Sequence, residues 1–461
     1  MFAFNRKRWL FRAIAAAAGI LSLPLSARPE SSATTVFMHA NVVPMDRNRV
    51  LADQTVIVSN GVISAMGRGL PAPPGAVVID ARGKWLSPGL ADMHIHSDTP
   101  DELAVYLANG VTTVLNMGGA RQGFLDSTVP KANRGEIAAP HVYVSWLVDG
   151  VPDYNGFLLK TPAQARAFPA LAKAQGYDFI KVYVGLEPAV FSALAQAAKT
   201  VGLPLVGHGV YKVRIDRELA QGQVMIAHLE EFFYSYFFPP PAENGFGENL
   251  PPEKRIADAV ALVKKYDATV TADPLTYRTI AMLAHHPERG PPIFADPRFE
   301  LLPHERRLQW LTSDYFKKTA NLLPRADYDR RLVKAFADAG VRLILGTDSP
   351  TIPGLFPGSS VHDQIDELRA AGLSPFQALT TATAAPGDFI VKTKGGTPFG
   401  RVVPGDRADL ILTTANPLAN LATLRTPLGV MAAGKWRDAA ALAALQEHVR
   451  SRYRETEIRI R

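Results

Sequence analysis

The 461-residue sequence predicts an α/β protein: a closed (β/α)8 TIM barrel with a small β-sandwich domain built from N- and C-terminal segments. Three observations predict this fold. Short β-rich runs alternate with helical stretches from Leu86 onward, eight such runs can be counted, and short alternating strands flank them on both sides. An open, doubly wound sheet is the alternative, and counting to eight favours the barrel.

The eight candidate barrel strands are apolar, β-branched runs separated by helix-length intervals. They are 86–96, 111–118, 141–148, 178–185, 204–209, 224–231, 268–275 and 342–350. The helices between them carry boundary signals, since Thr161 followed by Pro162 is typical of a helix start and Gly202 of a helix end. In such a barrel the chemistry is expected at the carboxyl ends of the strands.

The flanking segments consist of short alternating strands, with a hairpin signal at Asn60-Gly61. We therefore expect β-sandwich pieces at 34–85 and 397–440, the barrel at 86–396 and a basic C-terminal tail at 441–461. A long insertion rich in proline and aromatic residues, 232–330, interrupts the barrel. It is interpreted either as a lid or pocket wall, or as a loop whose aromatics pack onto the barrel.

The first 27 residues have the layout of a signal peptide. A basic start (Arg6, Lys7, Arg8, Arg12) precedes an apolar run that ends at a small-residue site, Leu25-Ser26-Ala27. The run of roughly a dozen residues is shorter than the ~20 needed to span a bilayer, so we expect cleavage and no stable membrane span. The mature protein is expected to be exported, periplasmic or secreted. The chain has no cysteine, which excludes thiol catalysis and thiolate metal ligands.

The net charge of +7 does not indicate a nucleic-acid partner. The leader contributes four positive charges, and the tail RSRYRETEIRIR carries five arginines against two glutamates. The body between them is therefore close to neutral, without the basic patch that nucleic acid requires. A small-molecule substrate is the expected partner, and homo-oligomerisation is left open.

Polar residues recur at the expected strand ends. They are His94, His96, Lys181, His208, His228 and Asp348. Residues two apart on a strand share a face, so His94 and His96 point the same way, and in a closed barrel all six positions converge on one mouth. Imidazole and carboxylate are donors suited to Zn or a similar divalent cation. A buried ammonium is disfavoured beside such ions, but Lys181 carboxylated by CO2 would become an anionic bridge between two metals.

These positions lie in a set of motifs that resembles a known family. The motifs are PGLADMHIH, NGVTTVLNMGG, GYDFIKVYV, GHG, IAHLEE, GTDSP and FGRVVPGDRADLIL. Together they resemble the amidohydrolase superfamily, in its binuclear metal-dependent subtype, and most closely its prolidase-like and imidazolonepropionase-like branch. The resemblance extends from about Thr34 to Trp436. HxH alone is a weak signal, whereas the ordered set is specific.

The resemblance implies a role for each donor: His94, His96 and Asp348 on one metal, His208 and His228 on the other, and carboxylated Lys181 between them. It also implies a hydroxide shared by two metals ~3.5 to 4 Å apart as nucleophile. Asp348 would take the proton of that hydroxide and pass it to the leaving amine. Imidazolonepropionase and the mononuclear deaminases of the superfamily lack the strand-four lysine, so Lys181 argues against those chemistries.

The function expected from these features is hydrolysis of a C–N amide bond, in an Xaa-Pro type dipeptide or an N-acyl amino acid. Hydrolysis of a lactone, ester or phosphotriester at the same binuclear centre is the alternative. A noncatalytic binding protein would be expected to lack a ligand, and none of the six is missing. Tyr211 is a candidate for substrate binding through its phenol, with packing of the barrel rim as the other interpretation, and Tyr234 or Tyr236 could serve instead.

Overall fold

The computed structural model describes residues 34–152, 156–238, 247–286, 288 and 290–460, with side chains described up to residue 455. The expected signal peptide at 1–27 lies outside these residues. The described chain contains two sheets, one built from both ends of the chain and one that forms the barrel.

The strands are numbered in chain order. They are β1 (Thr35–Val42), β2 (Leu51–Ser59), β3 (Val62–Gly67), β4 (Val77–Asp80), β5 (Trp85–Pro88), β6 (Leu90–Ile95), β7 (Val111–Asn116), β8 (His141–Asp149), β9 (Phe157–Leu158), β10 (Phe179–Val182), β11 (Leu205–Gly207), β12 (Gln223–Ile226), β13 (Thr269–Ala272), β14 (Arg342–Leu345), β15 (Leu410–Thr413), β16 (Gly429–Ala432) and β17 (Lys435–Asp438).

The α-helices are numbered in the same way. They are α1 (Pro100–Ala108), α2 (Val129–Asn133), α3 (Pro162–Ala174), α4 (Pro188–Val201), α5 (Ile215–Ala220), α6 (Lys254–Lys265), α7 (Pro274–His285), α8 (Gly290–Phe294), α9 (His304–Leu311), α10 (Leu323–Asp338), α11 (Ser359–Ala370), α12 (Pro375–Thr381), α13 (Ala384–Lys394) and α14 (Ala439–Ile460). Short 3-10 turns cover Pro297–Leu301, Asp314–Lys317 and Leu421–Arg425, and π-helical turns cover Phe124–Thr128 and Phe233–Phe237.

The first sheet unites the two ends of the chain, as the sequence predicts for the small sandwich domain. Its strand order is β17-β16-β15-β5-β1-β2-β3, with β4 paired to β1. The β2–β3 hairpin turns at Asn60 and Gly61, whose φ angles of 53° and 77° fit a type I′ turn. Inside, the ring of Phe37 meets that of Trp436 edge-on at 5.2 Å, so N- and C-terminal strands share one core.

The second sheet is the barrel. Its parallel order is β6-β7-β8-β10-β11-β12-β13-β14, with the short β9 beside β8. The circle closes just beyond β14, where the amide of Asp348 donates to the carbonyl of His94 and the amide of His96 to the carbonyl of Ser349, both at 2.8 Å. Because the first and last strands are joined, the sheet is a closed barrel, and the predicted fold class is confirmed against the open alternative.

The predicted first barrel strand is divided in two. Trp85–Pro88 pairs with β1 and β15 in the sandwich sheet, whereas Leu90–Ile95 pairs with β7 in the barrel. Gly89 lies between them, and a Cβ at this position would overlap the side chain of Thr112. The division therefore needs glycine, because the backbone passes directly against a neighbouring strand.

The other barrel strands lie within the predicted runs, apart from overhangs of one residue at Asp149 and Gln223. The expected helix signals also hold. Thr161 accepts the amide of Gln164 in a reciprocal capping box, with Pro162 in the first turn. Helix α4 ends at Gly202, whose φ of 68° is left-handed.

The region predicted as an insertion, 232–330, is mostly helical and contains the barrel strand β13. Its first aromatic residues pack inward: the ring of Phe232 contacts that of Phe336 at 5.5 Å, and Phe233 contacts Tyr328 at 5.5 Å. This part packs onto the barrel. A later part, from Pro303 to Tyr315, lines the cavity at the barrel mouth.

The basic tail forms most of α14. Val449 and Tyr453 are buried against Ala104 and Val105 of α1 and against Leu301. The basic tail therefore also has an apolar face, which packs the helix against the barrel. No helix within the described residues is long and apolar enough to cross a membrane.

Candidate metal centre

Two histidines and one aspartate meet where the barrel closes. His94 is the fifth residue of β6, His96 follows that strand by one residue, and Asp348 follows β14 by three. The Nε2 atom of His96 lies 3.0 Å from Oδ1 of Asp348, and Nε2 of His94 lies 3.4 Å from the same oxygen. Three donors thus face one point, as their positions at strand ends predicted.

Lys181, in β10, extends into the same point. Its side chain is buried, and its Nζ lies 3.1 Å from Nε2 of His94. Burial lowers the pKa of Lys181 to about 8 against the pull of nearby carboxylates, chiefly Asp348. The amine is thus closer to its neutral form than a surface lysine would be.

The remaining two histidines complete the ring of donors. His208 follows β11 by one residue and His228 follows β12 by two. The ring centroid of His228 lies 4.4 Å from that of His94 and 4.8 Å from that of His208. All six side chains proposed from the sequence as ligands are therefore brought to the same mouth.

Burial and neighbouring charges shift the pKa values of these donors in different directions. Burial lowers the pKa values of His94 and His208 well below the ordinary range, with the positive charge of Lys181 adding to the effect. The pKa of His228 is raised to about 10, because the carboxylates of Asp273 and Glu230 outweigh the burial that would lower it. Burial would raise the pKa of Asp348, but its hydrogen bond with His96 and surrounding positive charge lower it to about 2.

Asp273 is a site residue that the sequence prediction missed. It immediately follows β13, and its Oδ2 lies 2.6 Å from Nδ1 of His228. This contact turns Nε2 of His228 toward the centre and is the orienting interaction expected of a carboxylate behind a metal-binding histidine. The signal was present in the sequence, since Asp273 lies near the carboxyl end of the seventh predicted run, 268–275, as Asp348 does in the eighth, 342–350.

Asp92 holds the two halves of the closing seam together. Its Oδ1 accepts the amides of Thr347 at 3.0 Å and His94 at 3.3 Å, and its Oδ2 accepts the hydroxyl of Thr347 at 2.6 Å. The side chain is fully buried. It therefore fixes β6 relative to the segment that carries Asp348.

The donor set fits a divalent metal. His94, His96 and Asp348 form one group whose ligand atoms lie within 4.8 Å of one another, and His94, His228 and Asp273 form another. The Nδ1 atom of His208 is buried and has no hydrogen-bond partner among the described residues. Buried imidazole nitrogens normally have a partner, and neutral imidazole beside carboxylate is the donor chemistry that Zn prefers.

The centre opens into a cavity of about 500 Å3. His96, Lys181, His208, His228 and Asp348 line its floor. Its walls include Tyr183 and Arg121 from the barrel loops, and Glu305, Arg306 and Tyr315 from the region after β13. The sequence prediction missed these wall residues, because nothing in the local pattern indicates which part of a long helical region covers the mouth.

Tyr211 does not line this cavity. Its ring lies 6.2 Å from that of Tyr234, edge to face, and its amide donates to Val184. Tyr236 donates its hydroxyl to the carbonyl of Asp258 at 3.3 Å, on the outer side of the same segment. A role for Tyr211 in substrate binding stays a prediction. Tyr183, whose ring is 4.2 Å from that of His208, and Tyr315 are tyrosines of the cavity wall.

Fold and site together define a (β/α)8 barrel with a cluster of metal-type donors at its carboxyl mouth. No family model matches the chain. Among curated proteins, the dihydroorotase of Geobacter sulfurreducens is 51% identical over 45 residues, 10% of this chain and 11% of that protein. The dihydroorotase of Geotalea daltonii is 29% identical over 185 residues, 39% of each chain. The chain thus matches well under two thirds of the length of these relatives.

Solved structures match over most of the chain. A bottromycin amidohydrolase has a TM-score of 0.69 at 24% identity, covering 93% of this chain and 91% of its own. A putative prolidase from Bifidobacterium longum has a TM-score of 0.66 at 21% identity, covering 91% of this chain and 99% of its own. At these identities the likeness shows that the chain shares the fold of these structures.

Proposed function

We propose that the protein is a metal-dependent amidohydrolase that hydrolyses a C–N amide bond of a small substrate. One observation carries the proposal: six donor side chains, widely separated in the sequence, meet at the carboxyl mouth of a closed barrel. In barrels of this type the mouth is where the chemistry occurs. The noncatalytic alternative has no such support, because each of the six donors faces the centre.

In the proposed arrangement, one divalent ion would be held by His94, His96 and Asp348 and the other by His208 and His228. Carboxylated Lys181 would bind both ions. When bound, two such ions supply Lewis-acid activation of water and of the substrate carbonyl. Zn is the ion that this donor set suits best. The orientation of His228 by Asp273 supports its assignment as a ligand through Nε2.

Carboxylation of Lys181 is supported by its environment. A carbamate forms when a neutral amine nitrogen bonds to the carbon of CO2 and loses a proton, so a charged ammonium does not react. The pKa of Lys181 is lowered to about 8 by burial, which makes the reactive amine accessible near neutral pH. The resulting anion would also remove the repulsion between an ammonium and bound cations.

Asp348 is the proposed proton carrier. Its carboxylate belongs to the donor cluster and also lines the cavity, so one oxygen faces His96 while the group remains within reach of substrate. It would accept a proton from the attacking water as the C–O bond forms. It would then give that proton to the amide nitrogen as the C–N bond breaks, so that the amine leaves as a neutral group.

The size of the cavity supports a small substrate. A volume of about 500 Å3 lies within the range of ordinary small-molecule sites and suits a dipeptide or an N-acyl amino acid. The structural likeness to a protein named as a putative prolidase supports an Xaa-Pro type dipeptide within this class. Hydrolysis of a lactone, ester or phosphotriester would need the same activated water. Activity on a panel of these substrates and amides distinguishes the two functions.

The test combines metal analysis of the purified protein with a panel of dipeptides, N-acyl amino acids, lactones and phosphotriesters. We expect about two divalent ions per chain and the highest kcat/KM on an amide. Asp348→Asn is expected to lower kcat about 100-fold or more, whereas Asp338→Asn, an exposed aspartate on α10, serves as the control. A preference for lactones or phosphotriesters would favour the alternative, and a protein with neither metal nor hydrolysis would contradict the proposal.

Export is a separate proposal that rests on residues 1–27 alone. Expression of the chain with residues 1–27 in place, followed by N-terminal sequencing of the protein outside the cytoplasm, tests it. A mature chain that begins near Arg28 is expected. A full-length chain retained in the cytoplasm would contradict it.

A further inference from the structure

The cavity contains one arginine, Arg306, that forms no ion pair at hydrogen-bond distance within the described residues, although its charge favours the ionised form of the buried Glu102 in the same lining. Three basic side chains line it: Arg121, Lys181 and Arg306. Arg121 is paired with Asp98 through Nε at 2.7 Å and Nη2 at 2.8 Å, and Lys181 faces His94. Arg306 differs, because its two hydrogen bonds within the described chain go to uncharged groups.

Those two hydrogen bonds hold the guanidinium of Arg306 at the cavity wall, beside the backbone of His96. Nη2 donates to the backbone carbonyl of His96 at 2.9 Å, and Nη1 donates to Oε1 of Gln309 at 2.8 Å. A guanidinium carries five N–H bonds, so three remain for another acceptor. His96 is a proposed metal ligand, which places these donors at the edge of the reaction site.

Contacts with two other parts of the chain and one local hydrogen bond hold the helix that carries Arg306. Within α9, the indole of Trp310 is buried and donates to the carbonyl of Pro350 at 2.7 Å, two residues after Asp348. His304 contacts the carbonyl of Tyr453 in α14 at 3.0 Å, and Arg307 donates to the carbonyl of Leu302 at 2.9 Å. Arg306 is therefore a fixed part of the cavity wall, and little ordering is needed for it to bind a ligand.

We propose that Arg306 binds a carboxylate of the substrate and so determines specificity for substrates that carry a free acid. This inference rests on the proposed amidohydrolase function and deepens it. A planar guanidinium with several free N–H bonds matches a carboxylate in a two-point contact, which a substrate amide or ester group cannot replace. The preferred substrates are then N-acyl amino acids or dipeptides, in preference to their C-terminal amides.

The test compares each substrate that the panel identifies with its C-terminal carboxamide. Wild type is expected to prefer the free acid by about 10- to 100-fold in kcat/KM, the usual effect of a charge-assisted hydrogen bond. Arg306→Gln is expected to raise KM for the acid by a similar factor. The carboxamide, which has no carboxylate to pair with Arg306, should lose clearly less activity than the acid, and metal content measured in parallel reports any effect through the hydrogen bond to His96.

Two further variants separate a specific contact from a general effect. Arg306→Lys keeps the charge but loses the two-point geometry, so it should restore only part of the preference. Lys317→Gln removes a charge at an exposed site in the same region, where the lysine is paired with Asp314, and should keep the full preference. If Arg306→Gln lowered the activity on acid and carboxamide equally, or lost its metal, the proposal would be wrong.

A binding measurement tests the role of Arg306 even if the proposed hydrolysis is wrong. If wild type hydrolyses no amide, titration calorimetry with N-acetyl-L-proline measures the carboxylate site directly. Binding by wild type that weakens at least about 10-fold in Arg306→Gln would support the site without the hydrolysis. Equal binding by both proteins, or no binding by wild type, would overturn the role of Arg306.

Discussion

The carboxylate of Asp273 lies 2.6 Å from Nδ1 of His228, a contact between a residue that follows β13 and a residue that follows β12. Both side chains are buried. The contact fixes the tautomer and orientation of the imidazole, because Nδ1 must carry the proton that the carboxylate accepts. Nε2 is thereby left as the nitrogen that faces the other donors.

From this contact we expect Asp273→Asn to lower metal affinity or activity by about 10- to 100-fold, since loss of such an orienting carboxylate usually has that effect. Metal retained after dialysis against a chelator, together with kcat/KM on the panel substrate, measures it. Asp267→Asn is the control, because Asp267 is an exposed aspartate paired with Lys392. Wild-type affinity in Asp273→Asn would show that His228 needs no orienting partner.

The bridging role of Lys181 predicts a dependence on CO2. Metal-free protein reconstituted with Zn in CO2-free buffer is expected to regain little activity, and addition of bicarbonate should restore it. Lys181→Ala should retain substantially less metal than wild type with or without bicarbonate, while Lys199→Ala, an exposed lysine on α4, should behave as wild type. Full metal content and activity in Lys181→Ala would mean that the lysine is not a bridge.

The seam between β6 and the segment after β14 depends on Asp92. Removing its carboxylate leaves the amides of His94 and Thr347 and the hydroxyl of Thr347 without their acceptor. Asp92→Ala should therefore lower the free energy of unfolding by on the order of 3 kcal/mol and weaken metal binding, since buried donors without partners are costly. Asp92→Asn retains one acceptor oxygen and should lose less. Urea unfolding of the metal-free proteins separates stability from metal affinity, and equal stability of wild type and Asp92→Ala would contradict this role.

Much of the fold could be predicted because strand patterns are local. Alternation and β-branched runs define each strand, and the rule that parallel strands present their carboxyl ends together brings His208, His228 and Asp348 to one mouth. Asp273 also lies near the carboxyl end of a predicted strand and could be predicted in the same way. The division of the first predicted strand at Gly89 could not be predicted, because LSPGLADMHIH is one continuous apolar run. The need for glycine depends on the close approach of Thr112, which is a tertiary contact.

The walls of the cavity depend on tertiary packing that local patterns do not encode. Arg306 lies 42 residues before Asp348 in the sequence, and its position depends on contacts of α9 with Pro350 and Tyr453. Tyr211 was expected near the centre from its three-residue distance to His208. Its ring lies beside that of Tyr234, and its role in substrate binding stays a prediction.

His362 provides a prediction for the pH dependence of stability. Its ring is buried on α11 with Nε2 2.9 Å from the carbonyl of Asn109. Burial, and then the charge of Arg425, lower the pKa from 6.5 to about 4, although Asp363 and Asp366 act in the opposite direction. Below pH 6.5 the unfolded chain binds the proton before the folded chain does, so stability is lost as the pH falls from about 6.5 to about 4.

Replacing this group should flatten that dependence. His362→Gln keeps an amide donor near the carbonyl of Asn109 but does not titrate, so between about pH 7.5 and pH 5 it should lose about 2 kcal/mol less than wild type. The free energy of unfolding of both proteins, from urea titrations at the two pH values, measures the difference. His448→Gln, an exposed histidine on α14, is expected to keep the wild-type slope. Parallel losses in wild type and His362→Gln would place the acid sensitivity in other buried groups.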